Sequence, residues 1–149
     1  MSFDARITEL GIDLPAPVKP IATYVRFVQT DNLLFISGTG PSGSAPTGKL
    51  GSDLTIEQGY AVAREVGLQI IATVKDALGT LDRVTRVVKV LGMVNSAPDF
   101  GDQPKVINGC SDLLVEVFGE AGRHTRSAVG FVALPGQIAV EIEATFEVK

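Results

Sequence analysis

The chain has 149 residues, 45% of them hydrophobic and 20% charged, and carries a formal net charge of −4. That is the composition of one globular domain with a full core, and it argues against a disordered segment. The acidic balance argues against the clustered basic face of a nucleic-acid binder. No apolar run approaches the roughly 20 residues of a membrane-spanning helix, and no signal peptide opens the chain, so a cytoplasmic address is expected.

Residues 1–20 read as a lead-in. Phe3, Ile7 and Leu10 have helical spacing, and Pro15, Pro17 and Pro20 then force extended backbone. Tyr24–Gln29 and Leu33–Gly38 read as a hairpin around the turn residues Thr30, Asp31 and Asn32. Gly38–Gly48 is rich in Gly, Ser and Pro. With no Gly-Lys-Ser/Thr and no helix directly after it, a flexible surface loop is expected in place of a phosphate cradle. Thr55 and Gln58 form a capping box ahead of an apolar stripe that runs from Ile56 to Leu78, and Gly79 supplies the stop. Glu65 inside that helix reads as a solvated charge.

Val84–Val94 reads as the central strand, with Val84, Val88, Val90 and Val94 on one face and Val87, Leu91 and Met93 on the other. Both faces are apolar, which predicts burial on both sides. A loop over Ala97–Pro104 leads to a second amphipathic helix carrying Val106, Ile107, Cys110, Leu113, Leu114, Val117 and Phe118. His124–Val148 reads as two strands joined by the turn at Leu134-Pro-Gly-Gln137. Ile138 to Val148 alternates apolar and polar residues with the period of a strand buried on one face.

The resulting order, β-β-α-β-α-β-β, is a single α+β domain of ferredoxin-like type. Its two helices cover one face of a mixed sheet. The apolar second face predicts an oligomer.

Arg126 at the mouth of a strand is a candidate carboxylate clamp, because its planar fork suits a carboxylate. In the predicted hairpin Gly130 faces Glu141 and Arg126 faces Thr145. Arg126 and Glu141 are then about 13–15 Å apart, too far to share a ligand within one chain but not across an interface. Glu141, Glu143 and Glu147 share an outward face, and Glu141 has room beside it. His124 reads as a loop residue and Cys110 as a small buried hydrophobe. One cysteine and one histidine leave no intrachain disulfide and no multi-cysteine or multi-histidine metal site. No Gly-x-Ser-x-Gly elbow is present.

Several stretches in order resemble the RidA/YjgF family of reactive-intermediate deaminases. They are Phe35-Ile-Ser-Gly38, Val88 to Phe100 with its Asp-Phe ending, and Asn108 in the second helix. The most specific is Arg126-Ser, then Leu134-Pro, then Val140-Glu-Ile-Glu-Ala144. The resemblance spans residues 20–148. It implies a chorismate-mutase-like fold, a homotrimer, and three sites in the clefts between subunits. It implies hydrolytic deamination of 2-imino or enamino acids to 2-oxo acids and ammonia, with no metal or other cofactor.

On the same resemblance Arg126 binds the substrate carboxylate and Glu141 activates water, while Tyr24, Ser37, Gly38 and Asn108 line the cleft. Ala128 stands where many members have Cys, Ala22-Thr-Tyr24 replaces Gly-Pro-Tyr, and the loop over residues 38–52 is longer. These departures keep open an alternative, a non-catalytic trimer that binds a small carboxylate metabolite. A nuclease or translation inhibitor, an activity attributed to some relatives, fits the acidic charge least well. Neither a nucleic acid nor a membrane is an expected partner.

Overall fold

The computed structural model describes residues 2–149 as one α+β domain. Three helices, α1 (Phe3–Glu9), α2 (Ile56–Leu78) and α3 (Gln103–Phe118), accompany five strands. These are β1 (Phe27–Thr30), β2 (Leu33–Thr39), β3 (Val84–Asn95), β4 (Thr125–Phe131) and β5 (Val140–Val148). The sheet order is β1-β2-β5-β3-β4.

The expected β1–β2 hairpin forms, with Thr30 opposite Leu33 and Asp31 at φ +50° in the tight turn. Tyr24 lies ahead of β1 and outside it. Helix α2 starts on the expected capping box, with both reciprocal hydrogen bonds made, and stops at Gly79 in the left-handed conformation.

The last two strands correct the sequence reading. A turn does form at Leu134–Ile138, where Gln137 N–H donates to the Leu134 carbonyl at 2.9 Å. It does not close a hairpin. β4 pairs in parallel with β3, and β5 pairs antiparallel with β3 on the other side and with β2. The apolar side chains explain the choice. Val140, Ile142, Ala144, Phe146 and Val148 of β5 are all buried, so β5 takes the centre of the sheet. β4, with no fully buried residue, takes the edge. Helix α3 is the crossover that a parallel β3–β4 pair requires.

β3 holds a second correction. Its ladder with β5 is irregular between Val84 and Arg86 and again between Val87 and Lys89. The strict alternation therefore slips, and Val87, in place of the expected Val88, joins Val84, Val90, Gly92 and Val94 on the buried face. Leu91 and Met93 stay half-buried on the other.

Helices α2 and α3 cover one face, packing Val66, Ile70, Ile107, Cys110 and Leu114 onto the sheet with no residual exposure. They cross closely because position 109 is glycine: a Cβ there would lie 2.0 Å from the Tyr60 carbonyl oxygen. Helix α1, too short to persist alone, is pinned at its start by Asp82. That carboxylate accepts from Phe3 N–H at 2.5 Å and from Ser2 Oγ at 2.7 Å.

The long loop is not free at its far end. Gly48 N–H donates to Gln137 O, Leu50 N–H to Asn95 O, and Lys49 Nζ to Asn95 Oδ1 at 2.9 Å, while Leu50 is fully buried. Glu65 accepts from Ser42 N–H at 2.8 Å, so it braces this loop and is not merely solvated.

The opposite sheet face is bare in the single chain. Val28, Phe35, Val129 and Phe131 are exposed there, Phe35 to 43%.

Candidate functional site

Two groups of the expected residues come together, on opposite sides of the sheet. The first lies between the edge strand β4 and helix α3. Arg126 is in register with Val90, a residue fully buried under the helices, so its side chain leaves on the helix side. There Nη1 donates to Asn108 Oδ1 at 2.8 Å and to Ser111 Oγ at 3.1 Å, and Nη2 approaches the Pro104 carbonyl at 3.5 Å. Ala128 follows Arg126 on the same side and packs against the core.

Ser111 Oγ also lies 2.9 Å from His124 Nε2, and His124 Nδ1 lies 2.6 Å from the Gly122 carbonyl. A carbonyl only accepts, so Nδ1 carries the proton and Nε2 receives the Ser111 hydroxyl. Burial, seconded by the charge of Arg126, pushes the His124 imidazole below its ordinary value despite the Gly122 hydrogen bond. His124 is thus not the plain loop residue expected.

The second group faces the bare side. Glu141 is in register with Met93, three residues beyond Val90 and on the alternate face. Burial first, and the charge of Glu143 second, raise the Glu141 carboxyl above its ordinary value. Gly38 sits against it, where an added Cβ would lie 3.2 Å from Oε1. Ser37 Oγ donates to the Val25 carbonyl at 2.6 Å and fixes the segment that carries Tyr24. Tyr24 and Ser37 line a shallow cavity of about 500 Å³ together with Phe35, Lys89, Leu91 and Glu143.

Arg126 and Glu141 are therefore not brought together in one chain. Three residues along the strands and two strand spacings across put them about 14 Å apart. That separation is close to the one expected, but it arises from a different pairing and with the sheet between them.

Sequence reasoning missed Ser111 and the use of His124. Two signals were available. Asn108 and Ser111 are three apart on one helix and so share a face, and His124 precedes Arg126 by two, the strand period. Among the described residues no group of three or more His, Cys, Asp or Glu is gathered as a metal site. No helix is long and apolar enough to cross a membrane.

The domain is thus a chorismate-mutase-like α+β fold carrying an anchored cation at its β4 edge and a half-buried acid on its bare face. The sequence profile of the family described as "YjgF/chorismate mutase-like, putative endoribonuclease" matches residues 4–139. The chain belongs to this YjgF/RidA family, as its motifs led us to expect. It is 47% identical to Protein TCP17 of Trypanosoma cruzi, over 97% of this chain and 93% of that one. It resembles the crystal structure of Atu1372 from Agrobacterium tumefaciens, described as of unknown function, with a TM-score of 0.90 and 42% identity over 99% of this chain and 92% of that one. RidA from an Antarctic Psychrobacter is more distant, with a TM-score of 0.60 and 26% identity over 89% of this chain and 94% of that one.

Proposed function

We propose that the protein hydrolyses reactive 2-imino or enamino acids to 2-oxo acids and ammonia, at sites completed between copies of a homotrimer. The observation that carries this reading is the division of the site: an anchored guanidinium at one edge and a half-buried carboxyl on the far face.

The chemistry follows from the residues. Arg126 takes the substrate carboxylate and so fixes the imine carbon in place. Glu141 of a neighbouring copy holds a water. Burial and the charge of Glu143 raise its carboxyl, the direction that favours accepting a proton and returning it. Water adds to the protonated imine carbon and loses a proton to Glu141. The proton passes to the amine nitrogen of the carbinolamine, and as the C–N bond breaks the carbinolamine hydroxyl gives its proton to Glu141, leaving ammonia and the 2-oxo acid. No step calls for a metal or another cofactor.

Turnover of freshly generated imino acids tests the reading. Arg126→Ala and Glu141→Gln should each fall by a hundredfold or more, on the order of what a lost general base or clamp costs. Mixing the two variants during refolding should restore a fraction of wild-type activity, because some clefts then receive both native residues. Full activity of either variant, or no recovery in the mixture, contradicts a shared site.

Ala128 supports a second reading, since the resemblance to the family implies Cys at that position and this chain has Ala. Under it the trimer binds a small carboxylate without turning it over. Saturable 2-oxo acid binding with no hydrolysis of any imine would select it.

A further inference from the structure

We infer that Ser111 and His124 are positioning residues that hold the Arg126 guanidinium so that a ligand carboxylate docks on its Nε–Nη2 edge. The inference rests on the reading of Arg126 as a carboxylate clamp and specifies how that clamp is built.

A guanidinium offers five N–H groups and two forks, an end fork on Nη1 and Nη2 and a side fork on Nε and Nη2. At Arg126 both Nη1 hydrogens are committed, one to Asn108 Oδ1 at 2.8 Å and one to Ser111 Oγ at 3.1 Å. One Nη2 hydrogen points to the Pro104 carbonyl at 3.5 Å. Nε and the second Nη2 hydrogen have no partner among the described residues. The end fork is closed, and the side fork is the one presented.

Ser111 accepts from Arg126 in this geometry while its own proton goes to His124 Nε2, at 2.9 Å. His124 offers that lone pair because its proton is on Nδ1, held by Gly122 O at 2.6 Å. The relay is directional from the guanidinium to a backbone carbonyl, and the Ser111 hydroxyl and both His124 ring nitrogens are satisfied. Such a network holds one arrangement of its members. It converts a long, mobile side chain into a fixed planar receptor, which lowers the ordering cost of binding.

The test compares pyruvate with pyruvamide, which lacks the carboxylate, by calorimetry on the assembled protein. Wild type, Ser111→Ala, Ser111→Thr, His124→Phe and Arg126→Ala are titrated. Ser111→Ala and His124→Phe should each weaken pyruvate about tenfold, the worth of one charge-assisted hydrogen bond, and leave pyruvamide unchanged. Ser111→Thr keeps the hydroxyl and should restore the affinity. Unchanged pyruvate binding in both Ser111→Ala and His124→Phe overturns the inference and leaves the clamp standing. An equal loss for pyruvate and pyruvamide overturns it too, since that marks a general structural effect. Wild type that binds no pyruvate, or Arg126→Ala that binds it as wild type does, overturns the clamp itself.

Discussion

At the scale of single residues, the acid on the bare face is tuned by its neighbour. Glu141 and Glu143 emerge on the same side of β5; burial raises the Glu141 carboxyl most, and the charge of Glu143 adds to it. If Glu141 works as a base, turnover falls as pH drops through its folded value, which burial and Glu143 raise above its ordinary one. Glu143→Gln removes the like charge, so this acidic limb should move to lower pH. A pH profile of kcat/KM for the two proteins checks the direction, and a limb that moves up or stays fixed argues against Glu141 as the base. Arg126 and Glu141 could be singled out in the sequence as candidates because their types and flanking motifs mark them. Ser111 and His124 were not, because their meaning comes from contact between α3 and β4, and no spacing within either element states that contact.

At the scale of elements, α1 and the helix crossing hang on few groups. The Asp82 side chain is held low first by the Ser2 hydroxyl and then by backbone N–H donors. Burial raises Asp4, but the Thr80 hydroxyl and Lys75 outweigh it and hold it below the ordinary value of 3.8. Carboxyls with depressed folded values stabilise above the unfolded value, and that contribution disappears as pH falls through the folded one. The urea stability of wild type should therefore exceed that of an Asp4→Asn, Asp82→Asn double variant at about pH 6, and the gap should narrow as the pH falls below the ordinary carboxylate value. A gap that persists in acid would show that these carboxylates do not dock α1.

Gly109→Ala should cost about 2–3 kcal/mol by overpacking, since the new methyl meets a carbonyl oxygen of α2 and not a movable side chain. Chemical denaturation measures this, and a loss under about 0.5 kcal/mol would mean that the helices slide apart freely.

Helices α2 and α3 and the first hairpin were readable because their signals are local: a capping box, a 3.6-residue stripe, a two-residue turn. The β4–β5 error shows the limit of such signals. Alternation in 138–148 reports that one face is buried, and it does not report which strand lies alongside. Proximity in sequence favoured a hairpin, whereas the burial available at the centre of the sheet favoured β5 between β2 and β3.

At the scale of the whole molecule, the bare face carries Val28, Phe35, Val129 and Phe131 exposed, beside Leu91 and Met93. In the proposed trimer this face is covered, so Phe35→Glu should yield a smaller species by sedimentation and abolish turnover together with assembly. A variant that keeps the wild-type mass would place the interface elsewhere.

The position of β5 also governs how the chain can be made. It is the last of the five strands to leave the ribosome, yet it joins the β1–β2 pair to the β3–β4 pair. Until residues 140–148 emerge, two separate ribbons each present an unpaired edge, and Ile36, Val90 and Val94 lack their cover. Between the emergence of β4 and that of β5 the nascent chain thus presents unpaired strand edges of the kind that aggregate. Placing β5 between β2 and β3 is a non-local pairing of the kind that forms slowly.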